Sequence, residues 1–228
     1  MKTNRSTTVL SFLLALLLFS SSSTTSSVEA TPPRDEYTEE YVFECFQSNA
    51  ELRQAVLKYE RYNVVDMDMA TKYGWPIGRW CTWGLEDFTE IFKGKTDFNE
   101  DVSMWDLSSA TSMHGMFENA ISFDREIGMW DTSNVQDLSH CFHGAKSFDR
   151  DISFWDVSSV TSMDFAFMHA LEFRQDLSSW NLESLETDAG AFNDARALPE
   201  TFKPRRPTEE DKKKNNSSRL RAVSNSEI

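Results

Sequence analysis

After its first thirty residues the chain contains no apolar run approaching the ~20 residues that a membrane span requires. The earlier run, Val9 to Phe19, is about 11 residues long and too short to cross a bilayer. It follows Lys2 and Arg5 and precedes a Ser/Thr stretch ending Val28-Glu29-Ala30. This pattern predicts a cleaved secretory signal peptide over residues 1–30, with an uncleaved anchor as the alternative. No cysteine follows the run for lipid attachment and no hydrophobic tail closes the sequence, so neither a lipoprotein nor a GPI anchor is expected. Basic residues are also in short supply, 23 against 37 acidic. Without Lys2, Arg5 and Glu29 the balance is 21 to 36, and the eight basic and five acidic residues from Pro199 onward leave the excess acid in residues 31–198. Such a domain does not bind nucleic acid through charge. It is suited to a basic partner or to cations.

Motifs for chemistry are equally scarce. No G-x-S-x-G occurs, and no histidine recurs with a serine or cysteine at a recognisable catalytic spacing. Gly94-Lys95-Thr96 resembles the end of a phosphate-binding loop, but the first glycine of that motif falls on Thr89. The calcium-loop pattern D-x-D-x-D-G is absent. His140-Cys141-Phe142-His143 has metal-like residue types. However, periodicity turns Cys141 and Phe142 inward and puts the histidines where other units carry Glu90, Gly115, Lys93 and Glu118, so they read as surface histidines. With only three cysteines, one is left over in an oxidising compartment. Cys141 sits in the apolar column Ile91, Met116, Ala166, Ala191 and reads as a buried free thiol. Cys45 and Cys81 form either a bridge from the leading helix to the first turn or two further buried thiols.

Repetition dominates what is present. Tryptophan recurs at 80, 105, 130, 155 and 180, and phenylalanine at 92, 117, 142, 167 and 192. A second phenylalanine column runs 98, 123, 148, 173, beside the aliphatic column Ile77, Val102, Ile127, Ile152, Leu177. A fixed period of 25 residues marks a stack of units, each too small to bury its own apolar face. Within a unit, Ile152-x-x-Trp155-x-Val157-x-x-Val160 has the spacing of a short strand, and Val160, Met163, Ala166/Phe167 and Ala170 have the spacing of a helical face. Ser109, Asn134, Ser159 and Ser184 are candidate N-caps, and Gly94, Asn119 and Gly144 candidate left-handed C-caps. The last unit is degraded, with Asp188 for Met and Leu198 for Phe, as a capping repeat would be.

The units W-D-x-S-[SN]-[VA]-x-x-[ML] and F-x-x-A-x-x-F-x-x-[DE]-[ILV] resemble the BspA-type leucine-rich repeat surface proteins. FQSNAELRQAVLKY and YGWPIGRW are similar to the leading segment of that family, and the resemblance spans about residues 43–198. It implies an interaction module, secreted or held at the cell surface. The expected fold is α/β, a right-handed leucine-rich-repeat-like solenoid of about five 25-residue turns with a helical N-terminal cap. The expected organisation is a signal peptide over 1–30, a linker over 31–40, a cap and leading segment over 41–79, the solenoid over 80–198 and a disordered basic tail over 199–228. Asn215 and Asn216 are overlapping N-x-S sequons in that tail.

Strand alternation that turns each tryptophan inward turns Met104, Met129 and Phe154 outward, beside Asp106, Asp131 and Asp156. This column is the candidate binding surface for an extracellular protein or glycan, on a monomer with no enzymatic activity. A second acidic column, Asp101, Glu126, Asp151 and Asp176, stacks carboxylates about 5 Å apart, where repulsion in water is only about 0.8 kcal/mol. It reads as turn-capping acids or as calcium ligands bridging successive turns. A calcium-stabilised matrix component is therefore the alternative function, and an unrecognised hydrolase a more remote one.

Overall fold

In the computed structural model the chain divides into two units, Met1–Tyr41 and Val42–Ile228. The described residues are 43–62, 67–208 and 211, all in the second unit. The expected signal peptide and linker, the sequons Asn215 and Asn216 and most of the basic tail lie outside them.

Two short helices precede the repeats, α1 (Asn49–Tyr62) and α2 (Met67–Tyr73). Ser48 starts α1, its Oγ accepting the Glu51 N–H at 3.2 Å while Glu51 Oε2 accepts the Gln47 N–H at 2.9 Å. This is a capping box displaced by one residue on its return arm. Leu52, Ala55 and Val56 are buried on its inner face. Cys45 and Cys81 are joined in a disulfide, with their Cα atoms 4.5 Å apart, tying the segment before α1 to the first coil. Asn49 Nδ2 donates to the Asp87 and Thr89 carbonyls, oxygens that in later coils accept from the coil before. The cap thus supplies hydrogen bonds that a preceding coil would otherwise give.

The repeats stack as 25-residue coils, but they contain neither the strands nor the helices expected of a leucine-rich-repeat solenoid. Among the described residues no strand is present, and the repeat region holds no α-helix. The α/β, leucine-rich-repeat-like solenoid is therefore incorrect. Pairing between coils is reduced to single parallel bridges, Asp87–Ser112–Asp137–Ser162–Thr187. The hydrogen bonding explains why. In the second coil Met113, Gly115, Phe117 and Asn119 donate N–H bonds to Asp137, Ser139, Cys141 and His143 of the next coil. The intervening Met116, Glu118 and Ala120 donate to the residue three before them. The segment is a run of consecutive turns, half its donors bonding across coils and half within one.

Two columns of left-handed residues make this run possible. One is Glu90, Gly115, His140, Phe165 and Gly190; the other is Gly94, Asn119, Gly144, His169 and Asp194; all have φ between 55° and 73°. A helix tolerates no such residue in its interior, and a strand requires extended φ throughout. Three- and four-residue steps place side chains on one face in successive turns as they do in a helix, so Met113, Met116, Phe117 and Ala120 are still all buried.

The aromatic columns form the core. Rings of Phe92, Phe117, Phe142, Phe167 and Phe192 follow one another at 5.3 to 5.6 Å, and those of Phe98, Phe123, Phe148 and Phe173 at 5.8 to 6.0 Å. The column tryptophans are buried, and from Trp105 onward each donates its indole N–H to a backbone carbonyl of the coil before, from Trp105 to Ile77 at 2.9 Å through Trp180 to Ile152 at 3.2 Å, while Trp80 donates to Gly74 at 3.2 Å. A large apolar ring is therefore buried with its one donor satisfied. Where the backbones of adjacent coils are unpaired, side chains link them. Thr82 and Thr132 bond the Asp106 and Asp156 carbonyls, and Asn99, Asp124 and Asp149 each accept the N–H of the residue 25 positions on. Past Leu198 the chain continues over the last coil: Phe202 packs against the core, its carbonyl accepts the Leu177 N–H, and Arg206 pairs with Asp188.

Candidate functional site

Two surface features stand out from this scaffold. The first is a ridge. Met104, Met129 and Phe154 are 81, 91 and 81% exposed, one per coil in three successive coils, while the tryptophans next to them are at most 5% exposed. Trp83, 69% exposed, adds a fourth large apolar side chain outside that column. Asp106 and Asp131 each accept hydrogen bonds from the N–H and hydroxyl of the serine two residues on, and Asp156 from the Ser158 N–H. The carboxylates beside the ridge are thus held in fixed orientations. The Ser133 hydroxyl and N–H hold Asp131 below the ordinary carboxylate range.

Asp101, Asp151 and Asp176 are bound in the same way by Ser103, Ser153 and Ser178, which lower their pKa values, and Glu126 pairs with Arg150 at 2.8 Å. Among the described residues these four acids do not form a triad of converging ligand atoms. Cys141 is buried and unpaired, and burial pushes its thiol pKa well up.

The second feature is a histidine face. All four histidines of the chain lie on it, with ring centroids 5.5 Å apart from His114 to His140, 5.4 Å from His140 to His143 and 5.9 Å from His143 to His169. His140 Nδ1 and His143 Nδ1 are 3.3 Å apart, and Glu118 Oε1 lies 3.9 Å from His143 Nδ1. The three ligand atoms all fall within 4.8 Å of one another. Partial burial holds His143 below its ordinary pKa against the pull of Glu118. His114 faces Asp137 at 3.5 Å, and His169 is 2.9 Å from Asp194. The sequence motif showed the two histidines but not Glu118, which stands 25 residues before His143 and so directly one coil away. Periodicity puts Glu118 in the column of His143, but it does not show that the carboxylate turns toward both imidazoles.

The family model described as "Mycoplasma protein of unknown function, DUF285" matches the chain twice, over residues 40–129 and 122–204. No curated protein and no solved structure matches it.

Proposed function

The chain belongs to the DUF285 family, and we propose that it is a non-enzymatic binding scaffold. It acts outside the cell or at its surface and engages another protein through the Met104–Met129–Phe154 ridge. One observation carries this reading. Three large apolar side chains repeat in solvent at the same position of three coils, where they contribute nothing to the core. Exposed apolar residues in a contiguous row flanked by charge are the composition of an interaction patch. The partner's chemistry follows from the surroundings: apolar opposite the ridge and basic opposite Asp106, Asp131 and Asp156. Resemblance to the BspA-type surface proteins, together with the leading charged and apolar segment of residues 1–30, supports the extracellular setting. Among the described residues no helix is long and apolar enough to cross a membrane.

The test is capture from extracellular material with the intact chain and with a chain carrying Met104→Ser, Met129→Ser and Phe154→Ser. Recovery of the same basic protein by the intact chain and its loss by the triple variant supports the reading. Equal recovery by both places the interaction on another face, and recovery of carbohydrate alone replaces the protein partner with a glycan.

A further inference from the structure

We propose that Glu118, His140 and His143 bind a divalent transition-metal ion of the zinc class. The two Nδ1 atoms are 3.3 Å apart. Two nitrogens at about 2.05 Å from a tetrahedral ion are separated by about 3.35 Å, so the imidazoles already stand at the spacing of paired ligands. Glu118 Oε1 is 3.9 Å from His143 Nδ1 and all three ligand atoms lie within 4.8 Å of one another, so the carboxylate completes a third ligand by moving toward both imidazoles. The remaining position is left to water or to an external ligand.

The surroundings suit the ion. Glu118 has a side chain only 15% exposed; its Oε2 accepts from Lys93 at 3.0 Å, and its Oε1, which faces His143, accepts a long bond from Asn119 Nδ2 at 3.5 Å. A carboxylate fixed through one oxygen is an oriented ligand. Lys93 is itself neutralised by Glu90 at 2.7 Å. The Phe165 ring stands 5.0 Å from the His140 ring and shields one side of the site. His140 holds a left-handed backbone with φ of 58°, in a column where two other coils use glycine. An L residue there is strained. Nitrogen ligands select against calcium and magnesium, which prefer all-oxygen sites, and in favour of zinc and its neighbours. His114 and His169 flank the triad but are turned to Asp137 and Asp194, so they are not part of the ligand set.

The experiment uses the full chain, freed of metal with a chelator and titrated with zinc in competition with a chromophoric indicator, with cobalt as a spectroscopic probe. The expected result is one equivalent bound, the intense visible cobalt bands of tetrahedral coordination and a rise in Tm, with no Tm rise in calcium at the same concentration. His140→Gly fits the left-handed backbone, so it removes a ligand without adding strain; it should keep the fold by circular dichroism and weaken binding at least tenfold. Glu118→Gln and His143→Gln should do the same, while His114→Gln and His169→Gln should bind as the wild type does. Absence of binding at micromolar zinc overturns the proposal, as does undiminished binding by folded His140→Gly. Loss through His114 or His169 in place of Glu118 overturns the ligand assignment.

Discussion

Replacing Phe142 by alanine tests the stacked-coil core at its centre. The ring is 1% exposed and has partners on every side: Phe117 at 5.6 Å and Phe167 at 5.3 Å in the adjacent coils, Phe148 at 4.2 Å and Trp155 at 5.9 Å. Neighbouring coils are held at fixed spacing by the inter-coil hydrogen bonds, so the hole left by the ring cannot collapse. The cost should then lie in the upper part of the usual range for such truncations, about 3 to 5 kcal/mol. A domain of this size has only about 5 to 15 kcal/mol to lose. Urea unfolding followed by tryptophan fluorescence reads the change, because Trp155 adjoins the cavity. Phe142→Leu, which fills most of the space, should lose less than half as much. A cost below about 1 kcal/mol for the alanine variant would mean that the column tolerates a void, and the argument from interlocked coils would fail.

Gly94 and Gly144 separate backbone strain from crowding. Gly94 has φ of 73° and open space where a Cβ would stand, so Gly94→Ala should cost only about 1 kcal/mol in chemical denaturation. At Gly144 the added carbon would also overlap the Asn119 side-chain amide, which must turn aside, so alanine there should cost more than at Gly94; equal costs would refute the crowding. The Tyr73 hydroxyl, the Gln47 N–H and Lys72 hold the Glu51 carboxyl down at about 2. A lowered folded-state pKa gives stability that is present above the unfolded value and lost as pH falls toward the folded one. The wild type should therefore lose stability between about pH 4.5 and 2 more steeply than Glu51→Gln, as measured by thermal unfolding across that window. Calcium and sodium at equal ionic strength should shift Tm alike, because the serine N–H groups already engage Asp101, Asp151 and Asp176; an excess shift with calcium would restore bridging between coils.

The period and the side-chain facing were legible in the sequence because both depend on which residues must leave water. Trp105 and Leu107 are buried and Met104 is exposed, whether or not the backbone pairs as a strand. The local conformation was not legible, and the reason is specific. Steps of three and four residues are shared by a helix and by a run of turns, and the difference lies in residues such as Glu90, His140, Phe165, His169 and Asp194 adopting positive φ. Gly94, Asn119 and Gly144 signalled the left-handed backbone, and His and Asp adopt it more readily than most, but Glu90 and Phe165 give no sign of it. Phe202 was obscured by the charged, proline-containing tail around it, although it packs against the core. Glu118 was in register with His143, but the period alone does not show its side chain converging with both imidazoles of the next coil.

The most direct test of the account titrates the partner recovered by capture into the chain and into the Met104→Ser, Met129→Ser, Phe154→Ser variant by calorimetry, over a range of salt concentrations. Burying each of these side chains is worth about 1.5 to 3 kcal/mol, so the triple variant should bind at least a hundredfold more weakly while melting at the wild-type temperature. The affinity of the intact chain should also fall as salt screens Asp106, Asp131 and Asp156. An unchanged Kd in a folded triple variant would contradict the account.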